Sequence, residues 1–287
     1  MTLDDFNDLS KEEAGIQLFS CCSSHAWKKA IMEKFPFKDE MDLLANAEMS
    51  WYKECNEADW MEAFTHHPKI GDVKSLAEKF AATKHLAGKE QAEVEKASAE
   101  TIHQLVAANR EYEARFGFIF IVSATGKTAD EMLRLLKDRL KNNLIEELCV
   151  AMGEQHKITV FRLQKILDKA NWKFSVNQVT THVLDTSAGI PGNNITIRLK
   201  QLNDEIWETI AQGVTNADGR IADLLPQGRI IDPGNYKMVF ETGDYFVTQN
   251  IKGFYPQVDI QFTVFDNKHY HVPLLINPFG YTTYRGS

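Results

Sequence analysis

Cysteine is scarce in this 287-residue chain and poorly placed for cross-linking. Its four cysteines, Cys21, Cys22, Cys55 and Cys149, all fall in the first half. An adjacent Cys21-Cys22 pair is a poor disulfide framework, and the spacing matches no metal-binding pattern, so a reducing compartment is expected. Also missing are a basic stretch leading into an apolar run at Met1 and any apolar span of transmembrane length; a soluble cytoplasmic protein is expected. No charged tail, repeat or low-complexity tract is evident. Basic residues are outnumbered, giving a formal charge of -8, which argues against broad association with nucleic acid or an anionic membrane and leaves room for a local cationic site that holds a small anion. What is present, 44% hydrophobic and 25% charged positions, is enough for a substantial core in one large domain or two smaller ones.

Periodicity divides the chain. In "LSKEEAGIQLF", Ser10 with Glu13 three residues later is a capping-box signature, so a helix begins there. "EQAEVEKASAETIHQLVAANREYEARFG" is rich in helix formers and carries one apolar stripe up to Gly117. "TADEMLRLLKDRLKNNLIEELCVAMGEQHKITVFRLQKILDKA" continues in two or more helices. Beyond it, "THVLDTSAGIPGNNITIRLKQL" holds short β-compatible runs between turn residues. "YPQVDIQFTVFDNKHYHVPLL" alternates on either side of Asp266-Asn267, which predicts a β-hairpin. In its first arm Val258, Ile260, Phe262 and Val264 share a face; in its second, His269 and His271 do. The expected architecture is multidomain α and β: an all-α helical bundle over residues 1–168, a linker over 169–177, and an all-β sandwich over 178–287.

Three phrases of the β half, "THVLDTSAGIPG", "TNADGRI" and "HYHVPLLINPFGYTTYRGS", bring His182, Arg220, His271, Tyr284, Arg285 and Ser287 to strand ends, loops and the terminus. Imidazole exchanges a proton near neutral pH, and guanidinium holds an oxyanion without losing its own. Together they suit attack of water on a carbonyl. Ordinary strand-edge chemistry and a binding site are the other readings of the same residues. A metal site is disfavoured, because no Cys or carboxylate cluster accompanies His269 and His271. The phrases resemble those of the 5-hydroxyisourate hydrolases, the transthyretin-related proteins, in "HVLDTSxGxP" and the closing "YRGS". The resemblance implies a transthyretin-like sandwich that opens 5-hydroxyisourate by hydrolysis. It places His182, Arg220, His271 and Tyr284-Arg285-Gly286-Ser287 around the ring, with His182 or His271 activating water and Arg220 stabilising the attacked oxygen. It further implies a homodimer or homotetramer with hydrolase sites at subunit interfaces. Asp185, Ser187 and Pro191 are expected to organise the first loop, and His269 is either a rim residue or a substrate contact.

The helical half has its own phrases, "FTHHPKIGD", "GKEQAE", "NREYEARFGFIFIVSATGKT" and "ITVFRLQKIL". Pro68 restrains His67 from α geometry and presents it at a loop. Glu90 and Gln91 can pair with a ureido or imidazole group, and Arg162 with a carboxylate; capping, helix-surface and protein-interaction roles stand beside these. His25, His103 and His156 read as packing or surface groups. The phrases resemble the 2-oxo-4-hydroxy-4-carboxy-5-ureidoimidazoline decarboxylases: "HPxIG" at His67-Pro68-Lys69-Ile70-Gly71, the pair Glu90-Gln91, "FGFxFI" at Phe116 to Ile121, and "RL" at Arg162-Leu163. Leu86-Ala87 stand where that family usually has Trp-Ser, and Ile119 where Pro is common. The resemblance implies that Arg162 orients the departing carboxylate and that His67, aligned by Glu90, protonates the carbanion from one face. Gln91 and backbone groups around Phe118, Ile119, Phe120 and Ile121 would bind the ureido and ring edges. The conjugated ring delocalises the electron pair, so no cofactor and no metal is required.

The product of the first reaction is the substrate of the second. The two resemblances together imply a bifunctional enzyme of urate breakdown that forms (S)-allantoin, with small urate-derived molecules as partners and no nucleic acid or membrane. A transthyretin-like binding protein with a degenerate helical domain is the alternative.

Overall fold

The computed structural model describes residues 1–67, 91–124, 127–167, 177–221, 223–226 and 229–286, with the backbone alone for 91–99. Pro68, Glu90, Ser287, the Leu86-Ala87 departure, the Gln91 side chain and all but residue 177 of the expected linker lie outside this description.

The helices are α1 (Leu3–Asn7), α2 (Lys11–Cys22), α3 (His25–Met32), α4 (Glu40–Met49), α5 (Glu57–Thr65), α6 (Gln91–Phe116), α7 (Ala129–Arg139) and α8 (Leu144–Ile166), with a π-helical turn at Ser50–Glu54 after α4. Their starts follow local chemistry. Ser10 and Glu13 form the expected capping box on α2, and Thr128 with Glu131 and Asn143 with Glu146 do the same for α7 and α8. Gly117, at φ +79°, ends α6 in a left-handed conformation that side chains resist. In α7 the buried residues Met132, Leu135, Leu136 and Arg139 recur at helical spacing and seat one face on the bundle.

Helix α8 is different: Val150 through His156 are buried without interruption, the mark of a central helix enclosed on every side. On one flank the Trp51 indole donates to its Met152 carbonyl at 3.0 Å. On the other flank α8 packs against strand β5 (Ile206–Val214). The two backbones come close at Gly153, where a Cβ would lie in ordinary van der Waals contact with the Ile210 carbonyl oxygen at 3.8 Å.

The β half contains β1 (Val179–Thr180), β2 (Val183–Asp185), β3 (Ile190–Pro191), β4 (Thr196–Asn203), β5, β6 (Gly234–Phe240), β7 (Val258–Val264), β8 (Tyr270–His271), β9 (Leu274–Asn277) and β10 (Gly280–Thr283), with helix α9 (Thr242–Thr248) after β6. Sheets ordered β5-β4-β6-β7 and β10-β9-β2-β3 enclose one core, and β1-β8 form a short parallel pair. An all-α bundle followed by an all-β sandwich is the expected class. In β7, Val258 and Val264 are buried while Asp259, Gln261 and Thr263 are exposed, as the alternation requires.

The expected hairpin around Asp266-Asn267 does not form. Strand β7 pairs with β6, and β8 pairs with β1 in another sheet. The reason is a hydrogen-bonded corner: the Tyr270 hydroxyl accepts from the backbone N–H groups of Phe265 and Asp266 at 2.8 and 3.2 Å and donates to the Asp266 carboxylate at 3.1 Å. These bonds turn the chain out of one sheet and into the next. Alternation alone cannot distinguish such a corner from a hairpin, because both flanking runs keep period two.

Candidate active sites

In the β half, strand pairing brings the ionisable groups together. His182 lies between β1 and β2 and pairs across an isolated antiparallel bridge with Arg220. The turn that delivers Arg220 is built by Asn216, whose side-chain oxygen accepts from the N–H groups of Asp218 and Arg220 at 3.0 Å each. Gly219 in that turn has φ +69°, and a Cβ on it would come within 3.0 Å of the Val183 carbonyl oxygen. A side chain there would force Arg220 away from His182. His271 ends β8, opposite Thr180 of β1.

Charge then sets protonation. Burial first, and the Arg220 cation second, hold His182 below the ordinary imidazole value, against a weaker opposing effect of Asp218. Burial, Arg220, His269 and His182 lower His271 in the same way. Both rings are therefore kept neutral, the form that accepts a proton from water, with a guanidinium beside them.

Sequence reasoning passed over Thr180. Its Oγ1 lies 2.7 Å from His269 Nε2 and 2.9 Å from His271 Nδ1. A hydroxyl has one proton to give, so it donates to one ring and accepts from the other, which couples the two tautomers. With His271 donating from Nδ1, its Nε2 is left as the base, and His269 serves as the anchor of the hydroxyl. The Thr-Thr preceding His182 was the available signal.

The terminal residues fold onto the same strand. Gly286 bridges to His271, its N–H donating to the His271 carbonyl at 3.0 Å. A Cβ on Gly286 would come within 3.0 Å of His271 Cδ2. Arg285 lies over the Tyr270 ring, 5.5 Å from its centroid, and Tyr284 is exposed. Asp185 organises the first loop as expected: it accepts from Ser187 Oγ, from the N–H groups of Ser187 and Ala188, and from the Tyr245 hydroxyl.

In the helical half, His67 sits just past the end of α5 and its Nε2 is 2.5 Å from Gln155 Oε1. An amide oxygen only accepts, so this nitrogen is the donor and the ring is held by α8. Arg162 lies two turns further along the same face of α8 as Gln155 and Thr159. Its Nη1 donates to the carbonyls of Ser20 and Cys21, at 3.4 and 3.1 Å, at the end of α2. A guanidinium has donors beyond that nitrogen. Gln155 itself donates to the Cys22 carbonyl at 3.4 Å. Helix α8 thus holds His67 through Gln155, and Arg162 is tied to the end of α2, with fully buried Gln155 as the residue the sequence reading missed; its spacing of seven from Arg162 was the available signal.

The side chains of Phe118, Phe120 and Ile121 are buried in the bundle, and Ile119 is half-buried. Phe118 packs against Phe64 at 5.3 Å, and the Ile121 carbonyl accepts from Arg139 at 2.6 Å. Those three side chains are core, so this stretch is left to meet a ligand through its backbone groups, as expected of it, and the Ile119 side chain. Arg139 also binds fully buried Glu147, which in turn accepts from the Tyr112 hydroxyl and the Asn142 amide. His156 is enclosed against Tyr52, its pKa pushed down to about 3 by burial and then by Arg229, as befits a packing group. Burial pushes the Cys21 and Cys55 thiols up to about 12, so neither is a nucleophile. Among the described residues no group of three or more His, Cys, Asp or Glu is arranged to hold a metal ion, and no helix is long and apolar enough to cross a membrane.

Comparison with known proteins agrees with this division. Residues 7–164 match the OHCU decarboxylase family and residues 179–286 the HIUase/Transthyretin family. The uric acid degradation bifunctional protein TTL of Arabidopsis thaliana is 30% identical over 93% of this chain and 96% of its own length. The chain belongs to the OHCU decarboxylase–HIUase bifunctional family. For the HIUase part alone, the 5-hydroxyisourate hydrolase of Mus musculus is 42% identical over 38% of this chain and 94% of its own length. A crystal structure of (S)-allantoin synthase matches over 100% of both chains at 24% identity and a TM-score of 0.46. Within the bifunctional chain, the convergence of His182, Arg220 and His271 falls inside the HIUase match, and the His67–Gln155 contact and Arg162 inside the OHCU decarboxylase match.

Proposed function

We propose that the chain is a bifunctional enzyme that hydrolyses 5-hydroxyisourate in residues 178–287 and decarboxylates the product, 2-oxo-4-hydroxy-4-carboxy-5-ureidoimidazoline, in residues 1–168, forming (S)-allantoin. The observation that carries the reading is the convergence of two neutral imidazoles, His182 and His271, on the Arg220 guanidinium, in a chain with a full-length bifunctional relative.

In the hydrolytic step one imidazole takes a proton from water as the oxygen attacks the ring carbonyl. Arg220 holds the negative charge that develops on the carbonyl oxygen, the C–N bond breaks, and the imidazolium returns its proton to the leaving nitrogen. Thr180 couples the His271 tautomer to that of His269. Tyr284, Arg285, Gly286 and Ser287 border the substrate, and homodimers or homotetramers put this border at a subunit interface. In the second step the carboxylate lies on Arg162 and leaves as carbon dioxide, its electron pair passing into the conjugated ring. His67, held by Gln155 and aligned by Glu90, delivers a proton to one face, with Pro68, Gln91 and the 118–121 stretch shaping the pocket. Delivery from a fixed donor gives one enantiomer. The reactions run in the cytoplasm, and a linker over 169–177 joins the halves.

Freshly generated 5-hydroxyisourate, followed by ultraviolet absorbance and circular dichroism together, tests the proposal. Rapid loss of substrate absorbance with growth of a chiral product signal is expected. Loss of absorbance without chiral product would refute the decarboxylase, and no acceleration of either would refute both.

A further inference from the structure

Where the halves meet, a cavity of about 380 Å³ lies between α7, α8 and the segment from the end of β5 to Arg220, a volume within the range of small-molecule sites. Its polar groups are unbalanced. The carboxylates on its wall are engaged: Glu131 by its capping box with Thr128, Glu154 by the Ser123 N–H and Lys157, and Asp223 by Lys127. Donors are not. Gln212 is only 5% exposed and its Oε1 accepts from Asn142, which fixes the amide, yet its Nε2 has no partner. The buried Nε of Arg134 has none either. Among the described residues neither Arg134 nor Arg220 makes an ion pair.

Buried donors without acceptors carry a free-energy cost that a ligand oxygen removes, and two unpaired guanidiniums set its charge. We propose that this cavity is a binding site for a small carboxylate, held by Arg134, Gln212 and Arg220. Arg220 belongs to both the cavity and the hydrolytic site, so a carboxylate formed beside it has donors to receive it on the side of the helical half. The ligand class is then a ureido-carboxylate, the chemistry of the ring-opened product; that identification rests on the proposed function, whereas the anion site does not.

The test is calorimetric titration of the intact protein with hydantoate, a stable ureido-carboxylate. Variants are Arg134→Gln, Gln212→Glu and His271→Asn. Gln212→Glu keeps the acceptor for Asn142 while placing negative charge among the donors, and Arg134→Gln removes no internal bond of that nitrogen. Each cavity variant is expected to weaken binding about tenfold or more, while His271→Asn leaves it unchanged. Equal affinity in the wild type and both cavity variants, or a loss confined to His271→Asn, overturns the site. Turnover of 5-hydroxyisourate by the wild type separates the two ideas: cavity-dependent binding without hydrolysis in the wild type sustains the anion site and removes the enzymatic reading.

Discussion

Replacing Glu147 by leucine tests how the bundle holds the stretch that follows α6. Glu147 is fully buried and Arg139 is 2% exposed. The carboxylate accepts from Arg139 Nε at 2.7 Å, from Asn142 Nδ2 at 2.8 Å and from the Tyr112 hydroxyl, while Arg139 Nη1 binds the Ile121 carbonyl at 2.6 Å. Leucine has a similar volume, so little cavity forms; the damage comes from a buried guanidinium without its counter-charge. Breaking such a pair from one side costs about 3–5 kcal/mol, out of a domain stability of about 5–15 kcal/mol. With a urea slope of about 2–3 kcal/mol per M, the midpoint falls by about 1–2.5 M. Far-ultraviolet circular dichroism in urea reads the transition of the helical half. Adding Arg139→Met removes the stranded charge and is expected to restore at least half of the loss. A midpoint shift below about 0.3 M for Glu147→Leu, or a double variant no more stable than the single one, would refute the reasoning.

Because burial and Arg220 lower both His182 and His271, hydrolytic kcat/KM is expected to stay level as pH falls through the ordinary imidazole range and to drop only below it. Arg220→Gln removes the cation that disfavours imidazolium, so besides slowing the reaction it moves that acid limb to higher pH; an unmoved limb in the pH–rate profile counts against the assignment. Gly286→Ala places a Cβ against His271 Cδ2; the last residues must lift away, and hydrolysis is expected to fall about tenfold or more with decarboxylation unchanged, as separate assays of the two steps would show. Gln155→Leu takes the acceptor from His67 and is expected to slow decarboxylation by about 10² or more, while Gln155→Glu retains most of it; equal rates for the two variants would remove Gln155 from the positioning of His67.

Helix existence and type were readable because caps and apolar spacing are local. Ser10 with Glu13 and Gly117 at the end of α6 each act within a few residues of themselves. The corner at Tyr270 was not readable, since the hydroxyl that turns the chain works through tertiary placement and leaves the alternation intact. Within the proposed sites, the ionisable residues to which roles are assigned stood out by type: His67, Arg162, His182, Arg220 and His271. Their supports did not. Thr180 and Gln155 are common residues whose meaning lies in what the fold brings opposite them. The aromatic run at Phe118 and Phe120 has its side chains in the core, which leaves its backbone groups, the part expected to meet a ligand, as the only candidates there besides Ile119.

Helix α8 lies along β5, the outermost strand of its sheet, and the backbones meet at Gly153 and Ile210. A sheet margin of this kind in a separate β domain would be open to any passing chain with unpaired main-chain groups of its own. Here α8 of the same polypeptide packs against that strand. Cutting the gene between the two activities would expose that margin together with the apolar flank of α8, so the halves share a wall, and neither is a finished surface without the other.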